Sequence, residues 1–191
     1  AGGSGMQESR GNYYFERVRI SGFRYAMKIK NTFTGVIRSC QFDNNGVHVL
    51  LVGTVGGGSN NWRIHDSNLR YAKNWAIDTQ GPSNDLYISG CRFEENAPGA
   101  IRLRNGFANA MIIGNRFEGN PTPQGDAGGT AVLMEGNASG NRIISNLLVR
   151  DRIRDHAVIP DDPIFENNQW GFNSSGISFE DRKFQHVPKQ V

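Results

Sequence analysis

The sequence predicts an all-β parallel coil of about seven turns, and two observations predict it. An eight-residue pattern recurs along the chain, and short apolar runs broken by Gly and Asn surround it in place of helical stripes. The clearest copies are Ser89–Asn96 (SGCRFEEN), Arg38–Asn45 (RSCQFDNN) and Ile113–Asn120 (IGNRFEGN). Looser copies are Ser21–Lys28, His65–Ala72, Ile144–Asp151 and Glu166–Asn173. Each octet follows an apolar anchor: Ile20, Ile37, Ile64, Ile88, Ile112, Ile143 and Phe165. Five residues after each anchor stands a second large residue: Tyr25, Phe42, Leu69, Phe93, Phe117, Leu148 and Trp170. The anchors are spaced by 17, 27, 24, 24, 31 and 22 residues, an imperfect period that marks a solenoid.

The elements follow in order. Ala1–Gly5 reads as a linker, and residues 1–16 as a lead-in or cap. Residues 17–173 form the coil, with two strands expected per copy. One surrounds the anchor (RVRIS, GVIRS, NWRIH, DLYIS, AMIIG, NRIIS, PIFEN). The other follows the octet (AMKIK, VHVLL, WAIDT, AIRLR, AVLME, HAVIP). The position eight after the anchor is Asn45, Asn96, Asn120, Asp151 and Asn173, residue types that tolerate left-handed turns and can stack as ladders. A second column, three after the anchor, holds Asn115, Asn146 and Asn168. Val55–Asn61 and Pro121–Gly129 interrupt the period and should leave the stack as loops. Residues 174–191 carry no octet and read as a tail or cap.

Composition narrows the function classes. The net charge of +3 favours an acidic partner but is too weak to announce nucleic acid. No apolar run approaches the ~20 residues of a membrane-spanning helix. No phosphate-cradling Gly motif precedes a helix. Cys40 and Cys91 share a position in their copies, with Ser67 between them. At ~4.8 Å per rung their Cα atoms lie roughly 10 Å apart. That is too far for a disulfide, so both read as buried free thiols.

The octets, with anchor, small residue, aromatic and corner Asn, resemble the pectate-lyase-type right-handed parallel β-helix across Arg17–Asn173. That resemblance implies an extracellular or virion-tail protein that binds or cuts polysaccharide, most like a homotrimeric phage tailspike. The alternatives are a structural shaft or trimerisation segment without ligand, and a secreted polysaccharide lyase. No catalytic motif of a particular member is intact.

The second strand is where chemistry could sit. With Met27, Val47, Trp75, Ile101 and Leu133 inside, one outward column holds Lys28, His48, Ala76 and Arg102. The next holds Lys30, Leu50, Asp78 and Arg104, with Glu135 a rung later. A lyase would use Arg102 and Arg104 beside Asp78, which could hold calcium; otherwise no cofactor is expected. A hydrolase would pair Asp78 with Glu135. Lys28, His48 and Trp62 are the candidate substrate contacts, Trp62 as a sugar-stacking platform. The plain alternative is a solvated mixed-charge face. The run His65–Asp66–Ser67 puts neighbouring residues on opposite faces, a poor triad. The four His do not cluster at metal spacing, and no metal ligand is assigned.

Overall fold

The computed structural model describes residues 12–54, 57–121, 129–136, 138–157, 164–170 and 177–178; for 155–157, 164, 170, 177 and 178 only the backbone is described. Ala1–Gly5, most of the Pro121–Gly129 insertion, Asn173 and nearly all of the 174–191 tail lie outside the described residues. The chain winds as a right-handed parallel β-helix with three faces, where the sequence suggested two strands per copy. The octet itself contributes the extra strand. Each face has seven strands, so six complete windings separate the first from the last. The first face runs from Tyr13–Glu16 through Gly35–Arg38, Trp62–His65, Leu86–Ser89, Met111–Ile113 and Arg142–Ile144 to Ile164–Glu166. The second runs from Arg19–Ser21 to Gln169–Trp170, and the third from Tyr25–Lys30 to Ile177–Ser178. Every pairing within the three faces is parallel and joins equivalent positions of successive turns.

Two columns of large apolar side chains fill the centre. Ile37, Ile64, Ile88 and Ile112 stack in register, each fully buried. Phe42, Leu69, Phe93 and Phe117 stack beside them, with Phe93 and Phe117 parallel at 4.9 Å between ring centroids. Burying such a side chain contributes about 1.5–3 kcal/mol, and each turn repeats the gain.

The first copy is framed differently from the expectation. Phe15, not Ile20, stacks on Ile37, and Ile20 stacks on Phe42. Each turn carries two inward apolar positions five residues apart, and Ile20 satisfies either, so the frame slips by five. The sixth third-face strand is likewise Asp151–Ala157, not HAVIP, which puts Ile153 inside.

The corners explain the Asn columns, in a way the residue type alone did not. Left-handed backbone recurs two residues after each anchor, at Arg17, Ser39, Asp66, Gly90, Gly114, Ser145 and Asn167. It recurs again seven after, at Gly22, Asn44, Tyr71, Glu95, Gly119 and Arg150. The ladder residues come next along the chain and are not left-handed themselves. Their role is hydrogen bonding. The Asn120 carbonyl oxygen accepts from the backbone N–H and side-chain amide of Asn96, and Asn120 donates to the Phe93 carbonyl. At the other corner Asn146 accepts in the same way from Asn115 and donates to Ile112. Each ladder side chain thus satisfies corner N–H groups that no sheet can reach.

Candidate functional site

On the third face, the strand register places Lys28, Leu50, Asp78, Arg102 and Leu133 in one outward column. Leu133 therefore points outward, not inside as expected. His48 falls out of the surface altogether and is fully buried. Asn45 donates to its Nδ1, and its Nε2 donates to the Arg70 carbonyl. The Asn45 amide is oriented by its bonds to Ile20 and Phe23, which fixes the neutral Nε2–H tautomer of His48. Burial lowers the His48 pKa to about 4. It is a second-corner residue, unavailable to substrate.

Trp62 is also inside. It is 2 % exposed, Gly35 packs against it with no room for a Cβ, and Tyr13 stacks on it at 6.2 Å. A turn-start Trp beside a glycine-rich loop suggested a platform, but the missing side chain at Gly35 lets the indole fold into the core. Trp75 is buried as expected, with the Arg102 guanidinium over its ring at 5.7 Å.

The four third-face residues singled out for catalysis come together as two ion pairs. Arg104 grips Asp78 with both Nε (3.2 Å) and Nη2 (2.9 Å), and Arg102 Nε lies 2.6 Å from Glu135. Asp78 stands opposite Leu133 by register, two residues short of Glu135. Two rungs and two residues separate the carboxylates, about 12 Å between Cα atoms. Each carboxylate faces an arginine, and the two do not share one register line.

The first face holds a concave site that the sequence reading did not single out. An open groove of about 480 Å³ is lined by Asn61, Arg63, His65, Asp85, Leu86, Tyr87, Asn109 and Met111. Arg63, Tyr87 and Met111 form one outward column, and His65 and Ser89 the next. His65 Nδ1 meets Ser89 Oγ at 2.7 Å, and its ring lies tilted 5.5 Å from Tyr87. Partial burial lowers the His65 pKa, against the pull of Asp66, so the ring is largely neutral near pH 7. Asn61, Asp85 and Asn109 occupy left-handed corners at the groove's rim, spaced by one turn each. The signal was in the sequence: residues 63, 87 and 111 are 24 apart, as are 61, 85 and 109. The His65–Asp66–Ser67 run builds no triad. Ser67 donates to the His65 carbonyl and accepts from the Cys40 N–H, while Asp66 faces Arg38 at 3.8 Å.

Both cysteines are buried free thiols, as expected. Cys91 donates to the Ser89 and Ile64 carbonyls, and burial pushes its thiol up to about 12.

These features define a parallel β-helix with an open, aromatic-lined polar groove across one face. Residues 3–186 match the family model of NosD, described as periplasmic copper-binding protein, and the chain belongs to the NosD family. The match is to a periplasmic β-helix family and not to a tailspike. No curated protein and no solved structure matches.

The family description raises copper, and the donors can be checked against it. Among the described residues no three of His, Cys, Asp and Glu converge on one point. The two thiols are buried and bonded to carbonyls, and both nitrogens of His48 are taken. His65 and Met111 line the same groove but sit two turns apart with Tyr87 between them. The described residues do not fit a preformed copper centre.

Proposed function

We propose that this chain is a polysaccharide-binding β-helix working outside the cytoplasm, with the first-face groove as its binding site. The groove carries the reading. Its volume lies within the range of small-ligand sites. Tyr87 offers an apolar ring face at the floor, and Arg63, Asp85, Asn61 and Asn109 offer charged and amide groups around it. A sugar ring needs that combination: an apolar face to stack and fixed donors and acceptors for its hydroxyls. The periplasmic description of the family supports the compartment.

The test is affinity electrophoresis or calorimetry on a panel of bacterial surface glycans, with Tyr87→Ala and Arg63→Ala as groove variants. Loss of binding by at least tenfold in both is expected, with unchanged melting. Binding that survives in both variants removes the groove. Reducing-end and unsaturated-uronate assays on the same glycans ask whether bound chains are cut. Asp78→Asn and Glu135→Gln then report whether the third face takes part. A copper titration of the same protein, followed by tryptophan emission, tests the family's other description.

A further inference from the structure

The 2.7 Å contact between His65 Nδ1 and Ser89 Oγ joins a base to a hydroxyl across adjacent turns of the coil. Of the two imidazoles whose side chains are described, His48 is sealed in the core and His65 faces the first-face groove. Register sets His65 directly opposite Ser89, with Arg38 one rung before them and Ile113 one rung after, all in one outward column. In the Nε2–H tautomer the ring accepts at Nδ1 and the Ser89 hydroxyl donates to it. A hydroxyl held against the lone pair of a neutral imidazole is the pairing that makes serine a nucleophile.

Both partners are held in place. The Tyr87 ring lies tilted 5.5 Å from the imidazole. The Ser89 carbonyl accepts from the Asp66 N–H at 3.0 Å and from the Cys91 thiol at 3.3 Å, which pins the end of the strand. The neighbours suit an acyl group. Ile113 gives a half-buried apolar wall on the side of Ser89 away from His65, and Met111 another beside Tyr87. Arg63 lies one rung back and two residues along, about 8 Å from Ser89 between Cα atoms. It is exposed and makes no ion pair among the described residues, so its guanidinium can meet developing negative charge.

We propose that Ser89 and His65 form a catalytic dyad that removes O-acyl groups, acetyl foremost, from a glycan lying in the groove. The choice of a glycan ester rests on the groove's proposed ligand; the dyad itself does not. Ser89 Oγ attacks the acyl carbon, and its proton passes to His65 Nδ1. The carbonyl oxygen becomes an oxyanion on the Arg63 side. The bond from the acyl carbon to the sugar oxygen breaks, and that oxygen leaves as a hydroxyl with the proton from Nδ1. Water then attacks the acyl-serine, His65 takes its proton and returns it to Ser89 Oγ, and the carboxylic acid departs. Among the described residues no carboxylate pairs with the imidazole, so an ester, with a better leaving group than an amide, is the fitting substrate.

The test is labelling of the full chain by a fluorophosphonate probe, located by mass spectrometry, beside hydrolysis of p-nitrophenyl acetate. An adduct on Ser89 is expected. Ser89→Ala and His65→Gln should each lower the hydrolysis rate above background about 100-fold or more. Both positions lie on the outer face of the coil, and unchanged melting curves check that the variants fold. The parent's rate should rise with one deprotonation and level off near pH 7, since partial burial holds His65 below its ordinary 6.5. Acetate release from O-acetylated glycans should follow the same variants. No adduct on Ser89, or equal hydrolysis by the parent and Ser89→Ala, would overturn the proposal. Hydrolysis lost in His65→Gln but kept in Ser89→Ala would overturn the acyl-serine, leaving the imidazole to activate water directly. The probe and the small ester need no glycan, so the two readings of the groove separate. Glycan binding without a Ser89 adduct removes the dyad alone; a Ser89 adduct without glycan binding overturns the glycan as substrate and leaves ester hydrolysis.

Discussion

The two laddered corners of this coil solve one problem with different chemistry. Between the first and second faces the column reads Cys40, Ser67, Cys91, Asn115, Asn146 and Asn168, groups bonded by thiol, hydroxyl and amide. Between the second and third faces it reads Asn45, Ala72, Asn96, Asn120 and Asp151, with His48 beside Asn45. The first column holds no carboxylate or imidazole; the one carboxylate beside it, Asp66, is exposed and faces Arg38. The second buries an imidazole near one end and a carboxyl near the other. Any acceptor aimed at the preceding turn's N–H serves such a corner, and at Ala72 the column continues without a side-chain acceptor. Where that acceptor can ionise, the fold becomes sensitive to pH.

Asp151 should separate the two corners most sharply. It is fully buried and accepts from the backbone and side chain of Asn120. Burial, aided by Glu118, pushes its carboxyl up from 3.8 to about 7 although the Asn120 bonds pull it down. A folded pKa above the unfolded one means stability is intact below pH 4 and is lost as pH rises through 7. The full loss is about 4 kcal/mol. Asp151→Asn keeps the acceptor and adds an amide that can donate one turn back, as Asn120 donates to Phe93. Urea unfolding should show the variant more stable by up to about 4 kcal/mol at pH 8 and nearly unchanged at pH 4. No gain at pH 8 would place the carboxylate in a better solvated site than the corner provides.

Next is Asn120→Ala, which strands the Asn96 amide and the corner N–H it served. A loss of about 3 kcal/mol is expected, growing as pH rises through 7 because the Asp151 carboxylate loses the two Asn120 bonds that hold its pKa down. His48 should cost about as much, with the opposite pH slope from Asp151. Its folded pKa of about 4 lies below the ordinary 6.5, so its stabilising contribution is present above pH 6.5 and lost as pH falls through 4. The change is about 3 kcal/mol. Between pH 4 and 6.5 the His48 and Asp151 slopes oppose each other, and the parent protein should vary little there. His48→Gln should expose the Asp151 slope, and Asp151→Asn the His48 slope. Chemical unfolding at pH 4, 5, 6 and 8 on both variants separates the two. Parallel curves would show that folding leaves the pKa of both side chains unshifted.

The architecture was legible because the inward positions repeat at one spacing. Ile37, Ile64, Ile88 and Ile112 can be lined up by counting, and the structure stacks them as counted. Counting failed where one turn offers two equivalent slots, as Ile20 shows. It failed again where burial depends on a missing side chain elsewhere, as Gly35 admits Trp62. The third face misled for a geometric reason. Taking Val47 for Val49 as the partner of Met27 is an error of two residues, which leaves the alternation unchanged; His48 is inside because it lies at the corner end of its strand, held by Asn45 and the Arg70 carbonyl. The groove residues were equally countable at 24-residue spacing but have no shared chemical type. Arg63, Tyr87 and Met111 become a site only when the turns bring them side by side.

The mildest change falls at the first corner and tests whether its two chemistries are interchangeable. The Cys91 thiol reaches the Ile64 carbonyl at 3.5 Å, one turn back, as the Asn115 amide reaches Ile88 at 3.0 Å. Cys91→Asn should therefore extend the Asn column downward within about 1 kcal/mol of the parent. Cys91→Ala keeps the size small but loses the donor to Ile64, and should fall below both. In the parent, a thiol pushed up to about 12 and shielded by the stack should not react with a disulfide reagent until urea unfolds the chain. If Cys91→Asn were as damaging as Asn120→Ala, the slot would be too tight for an amide. The change from Asn to Cys between turns five and four would then reflect space rather than exchangeable hydrogen bonding.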